Sequence, residues 1–73
     1  MAPDAQEMLD FEVQWYALGG GPSDQIHERF GMSDRDYFAS VNDILQQSPP
    51  EQLSQNAVEA MRGVVRRRLW MAE

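Results

Sequence analysis

Arg62, Arg66, Arg67 and Arg68 crowd into one short stretch near the end of the chain, which carries six arginines and no lysine. Guanidinium groups at this density are phosphate ligands by type, because each presents a planar fork of donors to an anion. Arg62 and Arg66 are four apart, so they share one face of a helix. Two other readings stay open. The same cations grip an acidic patch on a partner or on a second copy, or they simply offset the dipole at a helix C-terminus.

Residues 23–45 are the second group of interest, reading SDQIHERFGMSDRDYFASVNDIL. A short amphipathic segment, a tight turn holding Gly31 and a serine-capped helix follow one another. That is the layout of a helix-turn-helix, in which glycine lets the backbone turn between two steeply crossing helices. Ile26 and Phe30 then meet Tyr37 and Val41, leaving the start of the second helix free for a DNA groove. On that tip Arg35 is suited to guanine, and Asn42 to adenine or a phosphate. Asp34 and Asp36 stand beside them and are awkward near phosphate, though acids also stabilise a helix N-terminus. An ordinary helical hairpin uses the same turn chemistry and is the alternative.

Catalysis finds no footing. His27 is the only histidine, and the chain has no cysteine. No nucleophile or carboxylate is placed by sequence as a partner for His27. Two-histidine and thiolate zinc sites are therefore excluded. Gly19-Gly20-Gly21 lacks the Gly-Lys-Ser/Thr ending of a phosphate loop and follows a helical pattern rather than a strand. No enzyme, cofactor, metal or small-molecule substrate is expected.

The charge is divided. The net charge is −6, with eleven acids against Arg29 and Arg35 in residues 1–61, and four arginines against Glu73 in residues 62–73. An acidic body repels phosphate at long range, while the basic end can touch it locally. No apolar run is long enough for a membrane span, and Met1 to Asp10 do not read as a secretory signal. A small cysteine-free chain points to the cytoplasm.

The elements that must position these groups are helical. Asp4 with Glu7 fits a capping box, and Met8, Phe11, Trp15 and Leu18 recur at helical spacing up to the glycine loop. Pro22 suits the first position of a short helix ending at Phe30, before Gly31. Ser33 with Asp36 caps a third helix, with Tyr37, Val41, Ile44 and Leu45 inward and Phe38 beside them, which ends near Gln47. Ser48 and Glu51 suit a brief turn that includes Leu53. A last helix runs from about Asn56 to Met71, with Asn56 and Glu59 as its capping pair and Ala57, Ala60, Met61, Val64 and Leu69 on its apolar face. Gly63 within it suggests a close approach by a neighbouring helix. Trp15 belongs to the core. Trp70 and Met71 sit at the frayed end, and if exposed they suit a partner or a dimer.

Leu9-Asp10-Phe11-Glu12, Trp15-Tyr16, Ile26, Phe30-Gly31-Met32-Ser33, Tyr37-Phe38, Asn42 and Ile44-Leu45 together resemble a family of short proteins of actinobacteria and their phages. That family is a domain of unknown function with a helix-turn-helix signature. The order and spacing match across most of the chain, including the proline joint and the arginine-rich final helix. The resemblance implies a helical fold and a DNA-binding or regulatory role, and no reaction or cofactor. The chain departs from the family's pattern in its acidity and in Asp34 and Asp36, where neutral or basic residues are usual.

The sequence therefore predicts one all-α domain over residues 1–73. It is a small bundle of three to four helices with a helix-turn-helix at about 22–47 and an arginine-rich helix at about 56–71. The expected role is DNA binding in transcription regulation, with Arg35, Asn42, Arg62, Arg66, Arg67 and Arg68 as contacts. The alternative is an acidic module that binds a protein or forms a homodimer.

Overall fold

Four α-helices form where the apolar spacing predicts them in the computed structural model, which describes residues 5–49, 51 and 53–72. They are α1 (Ala5–Trp15), α2 (Ser23–Phe30), α3 (Asp34–Gln47) and α4 (Gln55–Met71). Among the described residues all regular structure is helical, and no helix is long and apolar enough to cross a membrane. The Asp4 cap expected for α1 lies outside the described residues.

Local chemistry sets most boundaries. α1 gives way after Trp15 to a single 3-10 turn, Tyr16–Leu18, which ends when Gly19 accepts a left-handed backbone and donates to the Tyr16 carbonyl. Pro22 is extended and sits just before α2 rather than in its first position. Gly31 closes α2 at φ 63°, a conformation that penalises any side chain. Ser33 caps α3 by accepting from the Asp36 amide.

The cap of α4 differs from expectation. Ser54 accepts from the Ala57 amide at 3.1 Å, so the helix starts at Gln55 and Asn56 lies inside it. Leu53 precedes this cap and Val58 is the fourth helical residue, the spacing of a hydrophobic staple. Both are half-buried and line one hollow with Leu45. Ser48 itself ends α3, with its amide on the Ile44 carbonyl, and Glu51 lies in a turn; residues 50 and 52 of the brief turn expected there lie outside the described residues.

The core is a cluster of rings closed over by aliphatic side chains. Met8, Leu9 and Phe11 of α1, Ile26 and Phe30 of α2, Tyr37, Phe38, Val41 and Leu45 of α3, and Met61 and Val65 of α4 are all buried. Phe30 stacks on Tyr37 at 5.2 Å between centroids, while Phe11 meets Phe30 and Tyr37 edge-on at 5.5 and 5.8 Å. Such pairs add about 0.5–1.5 kcal/mol each beyond their burial. Hence α2 folds back on α3 across Gly31, with Ile26, Phe30, Tyr37 and Val41 all inside. Ile44 is only half-buried.

On α4 the inward stripe centres on Met61 and Val65, with Val58, Val64 and Leu69 at its edges and Ala60 exposed. Gly63 faces open space, so no helix approaches it. The close approach occurs instead in the loop after α1, where a Cβ on Gly21 would lie 2.6 Å from Phe11 Cε2. α4 runs antiparallel to α3: Arg68 near its end pairs with Asp34 at the start of α3, and Val58 near its start shares a hollow with Leu45.

Candidate nucleic-acid interface

The arginine-rich stretch winds around α4, so its four cations reach three environments. Arg62 and Arg66 lie on one flank and line an open hollow with Glu59 and Gly63. Arg67 turns to a different flank, beside Gly19, Ser23, Asp34 and Met71. Arg68 points inward.

Arg68 was expected in the exposed basic cluster, and the structure gives it an internal role. Its Nη1 donates to the carbonyl oxygens of Gly19 at 2.9 Å and Gly21 at 2.6 Å, and its Nη2 reaches Asp34 Oδ2 at 3.4 Å. The guanidinium carbon lies 4.7 Å from the Phe38 ring centroid. One side chain therefore ties α4 to the glycine loop and to the start of α3. The physical cause is position: Arg68 falls on the same side of α4 as Met61 and Val65, where a long stem can lie on apolar surface and keep its head among acceptors.

Asp34 is correspondingly withdrawn from the helix tip. It is half-buried, accepts from Ser23 Oγ and pairs with Arg68. The acid that looked awkward beside phosphate is thus neutralised by the chain's own arginine. Asp36 stays exposed, and its backbone amide serves the Ser33 cap. Asn42 is half-buried, with its Oδ1 enclosed and without a hydrogen-bond partner.

Arg35 is the cation that α3 does present. It is exposed and lines a hollow between α3 and α4 with Ala39, Arg66, Leu69 and Trp70. Trp70 is 79% exposed there, an indole standing open beside two guanidinium groups. Among the described residues, Arg35, Arg62, Arg66 and Arg67 form no ion pair, and Arg68 is the cation that does. The fold thus brings Arg35 beside Arg66, which shares a second hollow with Arg62, separates Arg67, withdraws Arg68 and leaves Asn42 half-buried. The spacing of Arg66 and Trp70, four apart on one helix, already placed both on a single flank.

No curated protein and no solved structure matches the chain. A family model described as a protein of unknown function, DUF3263, matches residues 1–69, nearly the whole length, and the chain belongs to that family.

Proposed function

We propose that this chain is a small cytoplasmic regulator that binds DNA through a helix-turn-helix formed by α2, the Gly31 turn and α3. In this reading α3 meets the major groove with Arg35 toward the bases. Arg62 and Arg66 hold the adjoining phosphates from α4, alone or as part of a dimer on two half-sites. The observation that carries the reading is the convergence of Arg35 with Arg66, from two helices, on one hollow beside an exposed tryptophan. The internal pairing of Asp34 with Arg68 supports it further, by removing one anion from the tip.

A second reading rests on the charge of −6. An acidic body with a basic flank also suits a protein partner whose surface is basic. Fluorescence anisotropy of a labelled mixed-sequence duplex separates the two. DNA binding through phosphates is strong at about 50 mM salt and falls steeply by about 200 mM. The DNA reading expects that fall, with weaker binding by Arg35→Ala and Arg66→Ala. A wild-type protein that leaves the duplex free at low salt ends it in favour of a protein partner.

A further inference from the structure

Among the described residues Glu12 is the one buried charged residue, fully enclosed on α1, and Tyr37 of α3 reaches it across the helix interface. Tyr37 Oη stands 2.9 Å from Glu12 Oε2 and 3.1 Å from the Met8 carbonyl oxygen. A phenol has a single proton to donate. With Glu12 ionised, two acceptors compete for that proton. Glu12 Oε1, enclosed without a partner, then holds negative charge away from water.

A proton on the carboxyl group resolves the count. Glu12 Oε2–H donates to Tyr37 Oη, and Tyr37 donates its own proton to the Met8 carbonyl. Oε1 becomes a neutral carbonyl oxygen, much less costly to leave unpaired than a charge. The charged neighbours do not rescue the ionised form. Arg68 of α4 acts on Glu12 through its charge, while the hydrogen bonds it makes go to Gly19, Gly21 and Asp34. Arg29 of α2 lies over the Phe11 ring and acts on Tyr37.

We propose that Glu12 binds a proton when α1 packs on α3, and that its ionisation loosens this joint. Burial is the largest influence and pushes Glu12 up to about 7 from 4.5, against smaller opposing effects of the Tyr37 hydrogen bond and Arg68. The sign follows from linkage, since here the folded chain holds a proton that the unfolded chain releases. The stabilising contribution is complete below about 4.5, declines as pH rises to about 7, and is flat above. Within that window the unfolding equilibrium constant gains a factor of up to about ten per pH unit.

A carbon-detected NMR titration of the glutamate side-chain carboxyls in the folded wild type tests this, with Glu12 assigned by through-bond correlation. The expected result is a Glu12 midpoint near 7. A Glu12 midpoint near the ordinary 4.5 overturns the proposal. Urea unfolding of wild type and Glu12→Gln between about pH 5 and about pH 8 gives a second readout. The glutamine amide donates to Tyr37 Oη as the protonated acid does. Wild type must therefore lose stability relative to Glu12→Gln as pH rises, and parallel profiles overturn the proposal. If Glu12→Gln does not fold, the wild-type titration decides.

Discussion

Arg68 and Asp34 meet at 3.4 Å across the α3–α4 interface, with their side chains only 19% and 26% exposed. This contact links the end of one helix to the start of another, and the same guanidinium closes the glycine loop through two carbonyl oxygens. Removing it leaves a half-buried carboxylate with the Ser23 hydroxyl but no cation, and two carbonyls without this donor. Hydrogen bonds to a charged group are worth about 1.5–3 kcal/mol each before partial solvation is counted. Arg68→Ala is expected to cost about 2–3 kcal/mol in urea unfolding. Arg68→Lys should fall between the two, because an ammonium cannot reproduce the planar fork. Arg67→Ala, one residue away and exposed, should stay within about 0.5 kcal/mol of wild type. Equal losses at Arg67 and Arg68 would refute the division of labour.

Gly31 and Gly63 make opposite predictions for one substitution. Gly31 holds φ 63° as the residue that ends α2, with nothing near its would-be Cβ. Its requirement is purely conformational, so Gly31→Ala should destabilise by about 1–2 kcal/mol. Gly63 lies within α4, exposed, also with open space around it. There alanine adds helix propensity and meets no obstacle, so Gly63→Ala should stabilise by about 0.5–1 kcal/mol. Thermal unfolding of both variants checks the two signs together.

The contrast shows what a sequence conveys. Gly31 was legible because a turn between two helical patterns leaves a glycine few other roles. Gly63 was misread as a packing site because propensity reports a weakness in a helix without saying which way the residue faces. Glu12 was overlooked for a related reason. It lies four residues after Met8 and three before Trp15, on the apolar stripe, and an acid at that register is itself a signal of a buried partner. The partner, Tyr37, is twenty-five residues away, and local periodicity carries no information at that range. The same holds for the arginines. Their number was evident from the sequence, whereas the inward turn of Arg68 depends on Asp34 and the glycine loop, which only the tertiary fold assembles.

The start of α4 gives a third test. Asn56 and Glu59 satisfy the capping-box spacing, yet Ser54 makes the cap, two residues earlier. The earlier start lets Leu53 and Val58 cover Leu45, and burial outweighs a reciprocal side-chain cap on an exposed surface. Ser54→Ala should cost about 1 kcal/mol. Asn56→Ala should be neutral or slightly stabilising, since Asn56 is an exposed helical residue. The reverse order in chemical denaturation would return the cap to Asn56.

The flank assignment on α4 bears most directly on the proposed DNA contact. Each arginine that neutralises a phosphate releases counterion, so its loss lowers the steepness of log K against log salt by about 0.9. Arg62 and Arg66 share a hollow, and Arg66 shares another with Arg35 of α3, whereas Arg67 lies beside Met71 and Ser23. Arg62→Ala, Arg66→Ala and Arg35→Ala should each weaken duplex binding and flatten the salt dependence by about one unit. Arg67→Ala should leave the slope unchanged, although it removes the same formal charge. That comparison cancels the general effect of making an acidic protein more acidic, because all four variants change net charge equally. A slope reduced alike by all four would mean that DNA senses only the overall field of the molecule, and the α3–α4 face would lose its claim to be the interface.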